Sequence, residues 1–229
     1  MKKEVIKNYW EYKSPGLKHS DHEVGSLEFF REVEHKRYSD EYKYKFLKEV
    51  AEFDKHPGKN VLEIGLGLGT DSLQFAKGGA IVYGIDLTKR AVELSTKRLK
   101  LEGYESSFKS ASFTEIPFDD NSMDVVYSFG VLHHSVETQK GIDEILRVLK
   151  PGGKCIIMLY HKGFKYYVRK LFYYGVLKGD YLKYSSQEII NRRSEDFQNC
   201  PLTKAYTRGE ARKMFSNYEN IHFETHRMD

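Results

Sequence analysis

Residues 61–71 read Val61-Leu62-Glu63-Ile64-Gly65-Leu66-Gly67-Leu68-Gly69-Thr70-Asp71, and this stretch constrains the fold more than any other. Val61 to Ile64 form an apolar run of buried-strand character, and glycine then takes every second position. Thr70-Asp71 signal a helix N-terminus, followed by the apolar Leu73, Phe75 and Ala76. Strand, glycine turn and helix together open a nucleotide-binding α/β fold. Glycine allows close backbone approach to a ligand, and the helix start offers unpaired N–H groups and a positive dipole end. A dinucleotide fingerprint GxGxxG needs a third glycine at position 70, where Thr70 stands. The spacing therefore disfavours a nicotinamide-dependent oxidoreductase. A glycine triplet alone can also be no more than a tight strand-to-helix turn.

The residues that follow are more specific. A second apolar run over 80–85 ends at Asp86, about twenty residues past the glycines, where a carboxylate can accept hydrogen bonds from a ribose. Residues 112–118 read Ser-Phe-Thr-Glu-Ile-Pro-Phe, residues 123–134 run from Met123 through Tyr127-Ser128-Phe129-Gly130 to His133-His134, and 146–153 end in Pro151-Gly152-Gly153. Glu63-x-Gly65-x-Gly67-x-Gly69 resembles motif I of the class I S-adenosylmethionine-dependent methyltransferases. The stretch 112–118 resembles that family's adenine-binding D-A-x-x-L-P-F, and 123–134 resembles its motif IV. The resemblance covers roughly residues 59–160 in the family's order, and the nearest subgroup is the type-11 small-molecule methyltransferases.

The resemblance implies a donor site for S-adenosylmethionine. Gly65, Gly67 and Gly69 would let the backbone pass the methionine and ribose portions. Glu63 would support the loop or meet the amino end. Asp86 would bind the ribose hydroxyls, with Leu87 beside the adenine. Ser112 and Phe113 replace an acidic and a small apolar residue, which weakens the expected adenine contact. Ser128 and Phe129 would border the sulfur region. Asp86 can alternatively cap a turn, and Phe113 can simply pack in the core. A general base is sought among His133, His134 and His161, which follow strands four and five, where an α/β sheet binds ligands. His133-His134 can equally be a packing feature. His19 and His22 flank Asp21 without forming a convincing metal set, and no metal is expected.

Alternating strands and helices imply a doubly wound, mainly parallel α/β sheet with an N-terminal helical cap. Strands are expected near 60–64, 80–85, 105–111, 123–129 and 155–160, the last in the sheet centre because it is almost wholly apolar. A sixth is expected at 221–225. Only four residues follow Thr225, so the family's seventh, antiparallel strand has no counterpart; either the sequence continues or another element covers that place. Residues 1–57 read as a helical lid or cap, with helices from Ser26 to Arg37 and, capped by Ser39-Asp40, through Phe46 and Leu47 to Pro57-Gly58. Residues 58–229 read as the donor-binding core with an aromatic insert at about 161–207. In that insert, six aromatics between Phe164 and Tyr174 alternate with Lys165, Arg169 and Lys170. It reads as a helix lining the acceptor pocket, or as an amphipathic membrane-surface helix. Short helices are expected at 186–195 and 208–215.

Composition narrows the partners. A net charge of +4 over 229 residues, with bases and acids interspersed, lacks the basic stripe of a nucleic-acid binder. Residues 127–130 do not resemble the [D/N]-P-P-[Y/F] signature of base-modifying enzymes. The two cysteines, Cys155 and Cys200, lack metal spacing and suit a reducing cytosol. No leader-like or membrane-spanning stretch is evident. The expectation is a cytoplasmic S-adenosylmethionine-dependent methyltransferase acting on an oxygen or nitrogen of a small-molecule acceptor, a sugar or secondary metabolite. The alternative is a donor-binding regulatory or scaffold protein without transferase activity.

Overall fold

A computed structural model describes residues 3–39, 46–163, 168–193 and 199–226. Its centre is a five-stranded sheet of β1 (Asn60–Ile64), β2 (Ile81–Asp86), β3 (Ser107–Ser110), β4 (Met123–Phe129) and β5 (Leu149–Met158), ordered β3-β2-β1-β4-β5. Every pairing is parallel. The chain winds outward from β1 in both directions, so the order reverses between β1 and β4. That switch point opens a crevice at the carboxyl ends of the strands.

Three crossover helices follow the sequence signals. In α4 (Thr70–Lys77) the buried Leu73, Phe75 and Ala76 face the sheet, and Gly78-Gly79 end it. Thr88 caps α5 (Lys89–Leu101), its hydroxyl accepting from the Ala91 N–H at 3.3 Å. In α6 (Thr138–Val148), Ile142, Ile145 and Val148 are buried on one stripe against Leu62, Val126 and Met123. On the other face Val61, Val82 and Val125 pack with Phe75, Phe53 and Tyr127.

The N-terminal region divides in two. α1 (Lys3–Tyr12) and the loop after it lie over the crevice. α2 (Leu27–Arg37), capped by Ser26 through a 3.1 Å bond from the Phe29 N–H, packs on the core with Phe29, Phe30 and Val33 buried. α3 (Leu47–Ala51) lies on the same side. The Asp40 end of the expected cap falls outside the described residues, as do residues 164–167 and 194–198.

Three expectations need correction. β5 lies at the end of the strand order rather than in the centre, and Cys155, Ile156, Ile157 and Met158 are only half-buried. An apolar run reports burial of side chains, not position in the ladder. Residues 221–225 form no strand; Tyr218 and Ile221 instead pack as side chains against the core beside β5, and the Tyr218 hydroxyl donates to the Ile142 carbonyl at 2.6 Å. Pro151-Gly152-Gly153 does not follow the helix as a separate turn. α6 stops at Val148, and the Pro-Gly-Gly forms an irregularity within β5, where the pairing jumps from Met123↔Leu149 to Val125↔Lys154. Among the described residues a π-helical segment at Leu171–Leu177 and two further α-helices follow, α7 (Ser186–Arg193) and α8 (Arg208–Met214); a capping box between Thr207 and Glu210 starts the latter.

Candidate active site

The crevice at the β1/β4 switch point is a cavity of about 590 Å³, within the roughly 300–1,000 Å³ of small-molecule sites. Its floor is the glycine turn. All three glycines have positive φ, between 54° and 87°, which side chains rarely tolerate. Gly65 is the tightest: a Cβ there would lie 2.2 Å from Val131 Cγ2. A Cβ on Gly67 would meet nothing within 4 Å, because this residue borders the cavity. Gly69 does not line it and instead sits against Ser95 at the start of α4.

Polar contacts from neighbouring elements fix this turn. The Gly67 N–H donates to Asp86 Oδ2 at 3.3 Å. The Thr88 N–H and hydroxyl both donate to Asp86 Oδ1, each at 2.8 Å. Burial nonetheless raises the Asp86 carboxyl above its ordinary value, against those hydrogen bonds. Behind the turn, fully buried Arg98 donates to the Leu68 carbonyl, the Thr70 hydroxyl, the Phe30 carbonyl and Glu34 Oε2, at 3.3, 2.8, 3.0 and 2.7 Å. An arginine on the inward stripe of α5 thus ties the glycine turn to α2.

A second polar cluster stands at the methionine end of the expected donor site. Asp71 is buried and accepts from Arg37 Nε and Nη2 at 2.7 and 2.6 Å, from the Tyr38 hydroxyl at 2.6 Å and from the Tyr127 hydroxyl at 2.8 Å. Burial pushes its carboxyl up, but the Arg37 charge and these donors outweigh that and hold it below its ordinary value. Glu63 is buried next to it and accepts from the Ser72 hydroxyl. Burial, and then the Asp71 charge, push Glu63 well above the usual carboxylate range. Glu63, Asp71 and Arg37 all line the cavity.

The adenine side is apolar with one hydroxyl pair. Leu87, Ser112 and Phe113 line the cavity. Ser112 and Thr114 share a 2.8 Å hydroxyl contact. Phe113 lies over Gly141 of α6, where a Cβ would come within 2.1 Å of the ring. Phe129 also lines the cavity, but Ser128 does not: its side chain turns inward and the hydroxyl donates to the Ile64 carbonyl at 3.3 Å.

The three candidate histidines separate. His134 lines the cavity. Its Nδ1 lies 2.8 Å from the Leu202 carbonyl, which can only accept, so the neutral ring carries its proton on Nδ1 and its lone pair on Nε2. Trp10 of α1 packs against it at 4.9 Å. His133 is wholly buried, stacks on Tyr160 at 4.1 Å and does not line the cavity. Neither ring nitrogen has a hydrogen-bond partner among the described residues, and burial followed by the proximity of His134 holds its pKa well below the ordinary value. His161 is exposed, outside the cavity, and its backbone bridges to Tyr206.

Sequence reasoning missed Arg37, Tyr38, Asp71 and Arg98. Asp71 was legible only as a helix-start carboxylate. The one available signal for Arg98 was its place three residues after Ser95 on the inward stripe of α5. The opposite wall comes from α1 and the loop after it, through Lys3, Tyr9, Trp10, Lys13 and His19.

The donor set fits S-adenosylmethionine. The glycine floor admits a close ligand, Asp86 suits ribose hydroxyls, and the Glu63 carboxyl and Arg37 guanidinium both border the cavity where an amino acid's two ends would lie.

Comparison with known proteins bears on the core of this fold. Residues 62–157 match the methyltransferase-domain family. Demethylmenaquinone methyltransferase of Clavibacter sepedonicus is 43% identical over 101 residues, covering 44% of this chain and 40% of that protein. Phosphoethanolamine N-methyltransferase 2 of Caenorhabditis elegans is 36% identical over 124 residues, covering 52% and 28%. The chain thus spans less than half the length of these curated relatives. Magnesium protoporphyrin IX methyltransferase of Synechocystis PCC 6803 with bound SAH shares the fold, with a TM-score of 0.59 at 18% identity over 94% of this chain and 88% of that one. Over residues 62–157, then, the chain is similar to the methyltransferase-domain family, and its fold is that of a solved S-adenosylmethionine-dependent methyltransferase.

Proposed function

We propose that this chain transfers a methyl group from S-adenosylmethionine to an oxygen or nitrogen atom of a small molecule, a sugar or secondary metabolite. One observation carries the reading: a single cavity joins the strand-end residues suited to the donor to an aromatic and basic wall from the N-terminal segment, with His134 among its lining residues. The relatives' names span a quinone precursor and a phosphorylated amine, so the acceptor is argued from this wall. Tyr9, Trp10 and Tyr160 offer flat apolar surfaces for a ring.

S-adenosylmethionine supplies a methyl group on a sulfonium whose departure as a neutral thioether needs no acid. The protein's task is then orientation, exclusion of water and removal of the acceptor's proton. Proximity and orientation supply about 7–11 kcal/mol in favourable cases. Asp86 orients the donor through its ribose hydroxyls. Glu63, ionised beside an ammonium group, holds the amino end. α1 and its following loop act as a lid, with Glu11 Oε1 accepting from the Arg90 N–H at 3.2 Å. His134 Nε2 takes the acceptor's proton, and the Leu202 carbonyl stabilises the imidazolium that results. Cys155 and Cys200 form no disulfide, which suits a cytoplasmic setting.

The test is incubation with methyl-labelled donor and a small-molecule extract. A labelled low-mass product supports the assignment. Donor binding by calorimetry without any transferred label across extracts would favour a regulatory binding protein instead.

A further inference from the structure

The described part of the aromatic insert does not line the cavity. None of the described residues 168–193 borders it, so the pocket-lining role expected for this segment is corrected. What the segment builds is an exposed apolar face. Of the thirteen large apolar side chains exposed among the described residues, seven fall within 168–182. Val168, Phe172, Tyr173, Val176 and Leu177 are spaced four, one, three and one apart, along one side of the helical run that includes the π-helical Leu171–Leu177. Leu182 extends the face after the turn at Gly179 and is 89% exposed.

The other side of this run is occupied. Gly175 is buried, and a Cβ there would lie 2.2 Å from the Tyr181 ring. The Arg193 guanidinium sits 4.6 Å from the Tyr174 ring and 2.8 Å from Asp180. α7 therefore covers one side and leaves the apolar stripe outward. The charge around the stripe has one sign. From 161 to 179 the sequence holds five lysines and arginines and no acid. Arg169, Lys178 and Lys183 are exposed at the rim, and the nearest acid, Asp180, is held by Arg193.

We propose that the face formed by residues 168–182 docks on the surface of an anionic lipid bilayer. Exposed aromatic and aliphatic side chains insert at the boundary between headgroups and acyl chains, and a rim of lysine and arginine meets the acidic headgroups. No described helix is long and apolar enough to cross a membrane, so the contact is one of lying on the surface. The face is also tied to the cavity wall. Asn191 Oδ1 of α7 accepts from the Thr203 N–H at 2.8 Å, and Asn191 Nδ2 donates to the Pro201 carbonyl at 3.1 Å. Between them Leu202 presents its carbonyl to His134.

The experiment is co-sedimentation of the whole chain with vesicles of phosphatidylcholine alone and of phosphatidylcholine with phosphatidylglycerol. Binding to the anionic vesicles is expected, about tenfold or more tighter than to neutral ones, and weakening as salt is raised. The double variant Phe172→Glu/Leu177→Glu should reduce it by about tenfold or more. Lys178→Glu/Lys183→Glu, which leaves every apolar side chain of the face in place and loses one 5.6 Å cation–π contact to Tyr173, should reduce it in the same direction and guards against misfolding of the first variant. S-adenosylmethionine affinity should be unchanged in both. Absence of binding to anionic vesicles overturns the proposal. So does a wild-type chain that self-associates in light scattering, loses that association in the Phe172/Leu177 variant and ignores vesicles, because the face then covers a second copy.

Discussion

Replacing Arg37 by alanine tests the least expected part of the site. The substitution removes both charged donors to Asp71, at 2.7 and 2.6 Å, and leaves the carboxylate with two tyrosine hydroxyls. The Asp71 side chain is 3% exposed, so water reaching it through the cavity replaces the lost charged partner only poorly. Breaking a buried pair in this way costs about 3–5 kcal/mol, or roughly 6–20 °C in Tm for a chain of this size. Thermal and urea unfolding of Arg37→Ala and of Arg37→Ala/Asp71→Asn measure it. The double variant should regain much of the loss, because the destabilising element is the stranded charge rather than the missing contact. The pH dependence has a definite sign. In the wild type Asp71 titrates below its unfolded value, so its contribution is present above the unfolded pKa and is lost as pH falls through the folded one. Without Arg37, burial dominates and raises the folded pKa, so the defect of the single variant is largest at neutral pH and shrinks on acidification. A single variant within about 1 kcal/mol of wild type, or a double variant no more stable than the single, would refute this reading.

Further expectations concern the ligand. Asp86→Asn, which keeps a side chain able to accept from Thr88, should weaken S-adenosylmethionine binding by about 1–3 kcal/mol; unchanged calorimetric affinity removes Asp86 from the site. Because Glu63 titrates well above the ordinary range and a bound ammonium favours its ionised form, donor affinity should rise with pH through the Glu63 pKa. That dependence should disappear in Glu63→Gln, and an affinity flat in pH for the wild type contradicts the pairing. His134→Ala should slow single-turnover transfer by about 100-fold or more, whereas His133→Ala should act mainly on thermal stability; the reverse pattern would exchange their roles. Gly65→Ala should destabilise by about 1–3 kcal/mol through overpacking against Val131, and a neutral result in urea titration would show that the turn relaxes.

The parts of this molecule that were legible in its sequence share one property: their signal is local. β1 and the glycine turn are each encoded within a few residues, and the structure places them as read. What escaped depends on partners distant in the chain. Asp71 reads as a helix-start carboxylate until Arg37, Tyr38 and Tyr127 converge on it, the last from 56 positions away. Arg98 has only its place on a helix stripe to mark it until Glu34 and the Leu68 carbonyl meet it. His133 and His134 are indistinguishable as a pair of letters, and only the course of the backbone buries one and turns the other to the cavity. Similarly, an apolar fifth strand and a β-rich final stretch carry no mark of whether a neighbouring strand exists to pair with them.

The two walls of the cavity have separate origins, and this shapes how such a molecule can diversify. The floor is made by strand ends and crossover turns that the sheet itself requires, so its chemistry can hardly drift without unravelling the scaffold. The ceiling, Tyr9, Trp10 and their neighbours, comes from one short leading stretch of chain held by surface contacts such as that between Glu11 and Arg90. Substitutions there are sheltered from the scaffold's constraints. On the proposed methyl-transfer reading, a lineage built on this plan can keep one donor floor and change what the cavity accepts by rewriting the segment from α1 to His19.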